Sequence, residues 1–184
     1  MDEARIEALE KQVAYLTDRQ AIYDLLTSTS RGNDRFDVEL IVGGYHEDGL
    51  HELGAKIIKG SDYGEHANTA HHAISAANLH NVTMHRCEID GDTAHCESYV
   101  IGLFLDPDTK KGRILAGRYI DRLEKREGRW GIVLRRATVE VAMEGEAILP
   151  NGKGVLGSGY LRGDRGKSDP SYQRPLTGEG GERW

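Results

Sequence analysis

Apolar positions in this chain change period part-way along. Ile6, Leu9, Val13 and Leu16 recur at three- and four-residue intervals with Glu and Lys between them, the spacing of one helix face. Residues 1–16 therefore read as an amphipathic leader helix. Thr17-Asp18-Arg19-Gln20 has the form of a capping box, in which a side-chain oxygen and a Gln satisfy the free amides of a new helix. A second helix is predicted from about Asp18 through Ile22, Leu25 and Leu26 to about Ser30. Arg31-Gly32-Asn33-Asp34 breaks it. Phe36 to Val42 follows as a short apolar helix ended by Gly43-Gly44, Gly49 to Leu53 as a short strand, and residues 60–77, polar and rich in Ala and His, as helical in part.

From Leu79 the period becomes that of strands. Residues 82–89 form one, closed by Asp90-Gly91-Asp92. An Asp-Gly pair between such runs signals a hairpin, because both central residues of the tight turn call for positive φ. The return strand is 94–105, ended by Asp106-Pro107-Asp108. A third covers 113–124, turned by Arg126-Glu127-Gly128 into a fourth, 129–141. After Glu144 glycine and proline become frequent and the apolar period is lost. Residues 1–144 thus form one domain, and 145–184 an extended tail wrapping that domain or a neighbouring subunit. Helices first and an antiparallel meander after is an α+β order. The sheet must bury one face, the N-terminal helices are its cover, and a pocket between the layers is where a ligand would sit.

Composition narrows the function. The 184 residues suffice for one domain with a real core. A formal charge of −6 leaves no electrostatic footprint for nucleic acid or an anionic membrane. No apolar run is long enough to span a bilayer, and the charged start MDEARIEALEKQ lacks the apolar stretch of a signal peptide. Cys87 and Cys96 are too few for a disulfide framework. A bridge between neighbouring strands can form, but reduced thiols in a cytoplasmic protein are the expectation. There is no P-loop or Rossmann glycine loop and no nucleophile elbow, so nucleotide chemistry and acyl-enzyme hydrolysis are poor readings.

Several segments together resemble the SnoaL-like family of the nuclear transport factor 2-like superfamily. They are Asp18 to Leu26 with Asn33-Asp34-Arg35-Phe36-Asp37, then Ile89 to Ala94, Glu97-Ser98-Tyr99, Gly117 to Arg122 and Gly128-Arg129-Trp130. The stretch Ser168 to Leu176 is similar to the ending of longer members. The resemblance implies a cone: a strongly bent, antiparallel or mixed sheet wrapped around helices over a deep apolar pocket. Enzymes of this superfamily include scytalone dehydratase, ketosteroid isomerase, polyketide cyclases and a hexachlorocyclohexane dehydrochlorinase, and cofactorless deformylating lyases are similar in type. Other members only bind ligands or partners, and a fold does not by itself confer activity.

By that resemblance Asp34 and His80 stand where dehydrochlorinase-like members carry a His–Asp dyad. A carboxylate on one imidazole nitrogen fixes the tautomer and stabilises the imidazolium formed on proton abstraction. Asp34 read without the resemblance is better taken as a cap for the helix after it, and with the resemblance the two roles stand even; His71 and His72 rival His80 as the base. Arg135 falls where those members place a pocket Arg that would stabilise developing negative charge, although Arg136 points to the opposite face and leaves the assignment open. Tyr45, Tyr99, Arg118 and His72 are further substrate-binding candidates. Met84 stands where relatives often carry Asn, and Thr29 where they carry Lys, a departure that counts against halide elimination. His66, His71, His72, His80 and His85 invite a metal reading, but no HExxH or comparable signature accompanies them, so neither metal nor cofactor is expected. The resulting expectation is a cofactor-independent lyase or dehydratase for a small apolar, aromatic or polycyclic substrate, with loss of water or retro-aldol-like carbon–carbon cleavage. An isomerase or cyclase, or a noncatalytic binding module, is the alternative. The exposed face of an open sheet implies a homo-oligomer, dimer or trimer.

Overall fold

In the computed structural model, residues 3–148, 159–178 and 181–183 are described. A single helix, α1 (Glu3–Arg35), replaces the two predicted helices. Nothing between Glu3 and Arg31 stops it, since the stretch contains neither Pro nor Gly. The apparent capping box is therefore mid-helix, and Asp18 accepts hydrogen bonds from Lys125 Nζ and Trp130 Nε1 instead, both at 2.8 Å. Gly32 does not break α1 either: its missing side chain lets Ile41 approach, and a Cβ there would meet Ile41 Cγ1 at 2.7 Å. The chain leaves the helix at Phe36, whose φ is +54°. Asp37 then caps α2 (Val38–Val42) by accepting from the Leu40 amide.

β1 (Tyr45–Leu53) and β2 (Lys56–Lys59) form a hairpin, and α3 (Gly60–Ile74) follows. The meander is β3 (Ala77–Asp90), β4 (Thr93–Leu105), β5 (Lys111–Arg126) and β6 (Arg129–Glu146). β3, β5 and β6 run longer than predicted, so His80 lies within β3 and not ahead of it. The turns differ from one another. Gly91 alone has positive φ between β3 and β4, whereas both Glu127 and Gly128 do between β5 and β6, the two-residue geometry in which both central residues are left-handed.

The six strands form one mixed sheet in the order β2-β1-β6-β5-β4-β3. Every neighbouring pair is antiparallel except β1 and β6, which run parallel. Register shifts interrupt β1, β3 and β6; each such bulge bends its strand and raises the local twist, which curves the sheet around the helices. Alternation along β4 turns Ala94, Cys96, Ser98, Val100 and Phe104 inward. Ile22 and Leu26 of α1, Ile41, Tyr63 and Ala67 pack with Cys87, Cys96, Leu123, Trp130 and Ile132 to form the core. The shift between Val82 and His85 in β3 has a particular effect: His80 and His85, an odd number of residues apart, are both half-buried on the inner side.

The described part of the tail returns to its own chain. Asp169 pairs with Arg35 at 2.8 Å, and Lys167 and Tyr172 both donate to Asp37. Burial works to raise the Asp37 pKa, but these two hydrogen bonds hold its carboxyl below the ordinary value. Residues 149–158, part of the predicted tail, lie outside the described residues.

Candidate active site

Asp34 occupies the last turn of α1 and is buried. Its carboxylate does not cap α2, which leaves it for β3. Oδ1 lies 2.7 Å from His80 Nδ1, and the His80 backbone amide donates to both oxygens at 3.0 and 2.9 Å. Asn78 Nδ2 donates to the same Oδ1 at 3.1 Å and to the Asn33 carbonyl at 3.1 Å. With a carboxylate on Nδ1, the neutral imidazole carries its proton there and keeps the lone pair on Nε2. The dyad side chains are nearly enclosed, 8% exposed for His80 and 10% for Asp34.

His80 forms part of the wall of a cavity of about 230 Å³ between α3 and the sheet. Ile74, Val100, Phe104, Leu115 and Val139 make most of the rest apolar, and His51, Tyr63, His71 and Tyr119 supply polar edges. The Phe104 ring meets His80 edge-on with centroids 5.5 Å apart, and His71 stands 5.2 Å away. Burial, aided by the neighbouring His80, depresses the His71 pKa to about 4. His51 is pushed down to about 3, first by burial and then by the Arg135 charge. Both rings are neutral near pH 7. His51 stacks on Tyr63 at 3.6 Å, and its Nδ1 lies 2.7 Å from the Tyr45 hydroxyl. Burial drives the Tyr45 pKa upward, so the phenol keeps its proton and can donate it to Nδ1. The His51 proton is then on Nε2, which is buried without a hydrogen-bond partner.

Other predicted site residues are placed differently. Arg135 does face inward, but its guanidinium is committed to Asp121, at 2.7 and 3.1 Å, and to Thr29 Oγ1 at 3.0 Å. It stacks on Tyr119 with 4.3 Å to the ring centroid and is absent from the cavity wall, which Tyr119 reaches. Tyr45 likewise sits one layer behind His51. His72 is exposed, and the residue of that pair at the wall is His71. Tyr99 and Met84 are exposed at 42% and 66%: alternation along β4 turns Tyr99 to the outer face, and the β3 bulge between Val82 and His85 turns Met84 there. Arg118 lies outside too, paired with Glu97 and Glu140.

The profile of the SnoaL-like domain matches residues 14–136, about two-thirds of the chain. The chain belongs to the SnoaL-like family. No curated protein matches it. Among solved structures, the hexachlorocyclohexane dehydrochlorinase LinA-type3 from Novosphingobium barchaimii superposes with a TM-score of 0.69 at 19% identity, covering 74% of this chain and 96% of that one. A scytalone dehydratase-like protein from Novosphingobium aromaticivorans gives 0.65 at 17%, covering 74% and 93%. A protein of unknown function from Mycobacterium tuberculosis gives 0.61 at 27%, covering 68% and 77%. The α+β fold with a cystatin-like curved sheet is thereby shared, and structural relatives of this SnoaL-like chain include lyases.

Three residues near the dyad carry no sequence signal. Asn78 precedes the dyad His by two positions. Arg165, from the tail, donates to Asn78 Oδ1 at 2.8 Å and to Ser75, and lies 4.1 Å over the Phe36 ring. His51 could have been found only by its inward parity on β1, a strand whose start the apolar pattern misplaces.

Proposed function

We propose that this SnoaL-like protein is a cofactor-independent lyase in which His80 is the general base and Asp34 its orienting partner. The observation that carries this is the 2.7 Å contact between the two side chains at the wall of a mainly apolar cavity. His80 Nε2 takes a proton from carbon or oxygen of the substrate. The freed electron pair forms a double bond as hydroxide departs, protonated to water, or as an adjacent carbon–carbon bond cleaves. Asp34 stabilises the imidazolium, which returns its proton to the leaving group or the product carbanion. In place of Arg135, the Nε2–H of His51 and the Tyr119 hydroxyl are the donors suited to developing oxyanion charge. At about 230 Å³ the cavity falls below the roughly 300 Å³ at which drug-sized pockets begin, which favours a single-ring substrate over a polycyclic one.

The test is turnover of small hydroxylated or formyl-bearing aromatic compounds in chelator-containing buffer, with solvent-deuterium incorporation as a second readout. His80→Ala is expected to lose about 10²–10⁴-fold in kcat, and Asp34→Asn a large part of that, with unchanged circular dichroism. Full turnover in both variants would remove the dyad. Saturable binding without turnover or deuterium exchange would point instead to a binding module.

A further inference from the structure

A second cluster of chemically capable side chains lies on the inner face of the sheet, five to seven residues further along β3 than His80. The register sets Cys87 directly opposite Cys96 of β4 and His85 opposite Ser98. Beyond the bulge, ordinary alternation gives His85 the same facing as Cys87, and Ser98 the same facing as Cys96. One ring nitrogen of His85 and the two Sγ atoms all lie within 4.8 Å of one another. Cys96 is fully buried and Cys87 is 5% exposed. His85 Nδ1 lies 2.9 Å from Ser98 Oγ, while its Nε2 is buried with no hydrogen-bond partner. Tyr23 of α1 flanks the imidazole, with ring centroids 5.4 Å apart.

We propose that His85, Cys87 and Cys96 form a zinc site, with two thiolates and one imidazole as ligands and water at the fourth position. Two sulfurs and one nitrogen are a donor set that thiophilic d¹⁰ ions prefer over hard cations. Ligand atoms around a tetrahedral zinc stand roughly 3.5 Å apart, so the trio needs to contract by at most about 1.3 Å per pair. The Ser98 hydroxyl accepts from Nδ1–H and so leaves the Nε2 lone pair for the ion, the outer arrangement that ligating histidines generally have. Charge fits burial as well. Zn²⁺ replaces the two thiol protons, which pass to solvent; two S–H bonds break, two S–Zn bonds form, and no electron changes hands. The site is then formally neutral, which avoids the cost of an uncompensated ion in an apolar core. Arg19 adds positive potential as it donates to the Cys87 carbonyl at 2.8 Å. A bound ion would tie β3 to β4 beneath α1, independently of any chemistry at His80.

Full-length protein, reduced and stripped of metal, is titrated with Co²⁺ as the spectroscopic probe and then with Zn²⁺. One equivalent of Co²⁺ should give thiolate-to-cobalt charge-transfer absorption in the near ultraviolet and intense visible bands of tetrahedral geometry. Zinc should abolish both, release about two protons per ion near neutral pH and raise Tm. His85→Asn, a half-buried position, should fold normally and weaken zinc at least roughly ten- to a hundred-fold; Cys87→Ser should remove the charge-transfer band. The proposal is overturned if folded, reduced wild-type protein shows no cobalt–thiolate absorption and retains no zinc on gel filtration. It is equally overturned if both variants bind as tightly as wild type.

Discussion

One amide decides how Asp34 is held. Because Arg165 donates to Asn78 Oδ1, the Asn78 amide must present its Nδ2 hydrogens to Asp34 and to the Asn33 carbonyl. Hydrogen bonds to charged groups contribute about 1.5–3 kcal/mol, so Asn78→Ala is expected to lower the unfolding free energy in urea by roughly that amount and to reduce kcat more than it alters KM. Unchanged stability would mean that Asp34 is held by β3 alone. The depressed histidines give a second expectation. His51 and His71 stay neutral in the fold down to about pH 3 and 4, whereas in the unfolded chain each takes up a proton near pH 6.5. Between those limits the unfolded state binds more protons, so stability rises with pH through the window and is lost as pH falls. Urea midpoints measured from pH 7 to 4 should fall, and less steeply in His51→Gln; an identical slope in that variant would exclude His51 as a source. At this scale the family resemblance singles out Asp34 and His80 as candidate partners, and in the fold their side chains lie in contact. The sequence hides Asn78 and Arg165, brought together although they stand 87 positions apart, and it conceals that Arg135 is consumed by Asp121.

Among the elements, alternation made the meander legible, and its bends are what alternation cannot show. The bulge in β3 brings His85 to the same face as His80, and a second in β6, where Glu140 is the extra residue opposite the Ala116–Gly117 step of β5, bends that strand at the cavity wall. Gly117 is required there by close backbone approach: an added Cβ would stand 3.0 Å from Val139 Cα and closer still to the Thr138 carbonyl. Backbone cannot swing aside as a side chain can, so Gly117→Ala is expected to cost about 1–3 kcal/mol and to narrow the cavity, both readable from urea unfolding and ligand titration. An unaltered midpoint would show that β5 and β6 can part locally. The apolar pattern also missed the parallel pairing of β1 with β6, because a crossover leaves no local mark in composition. It divided α1 at Thr17 because a capping box in the middle of a helix looks the same as one at its start; only Lys125 and Trp130, more than a hundred residues away, reveal what Asp18 does.

At the scale of the whole molecule, helices cover the inner face of the sheet, and among the described residues no helix covers the outer face. Leu79, Leu103, Ile114 and Met143 are cross-strand neighbours spanning four strands, and all are exposed, from 36% for Ile114 to 58% for Met143. Ile101 and Val141 extend the same surface by one row, flanking Ala116, and an open depression of about 560 Å³ follows part of it. Soluble monomers rarely present a contiguous apolar patch beyond a few hundred Å². The rim is charged in pairs, with Arg118 between Glu97 and Glu140 and Arg113 between Asp106 and Glu144, the apolar centre and polar border usual for a protein interface. We propose that this face joins copies of the chain into a dimer or trimer. The described tail clasps its own α1 and α2, which leaves the outer sheet face as the main candidate contact. Light scattering at micromolar concentration should therefore give two or three times the 20.4 kDa chain mass. Ile101→Glu combined with Val141→Glu should shift it to one chain mass while preserving the near-ultraviolet dichroism of the core. A wild-type protein that runs as a single chain would remove the interface, and a double variant still fully assembled would move it to the exposed first turns of α1.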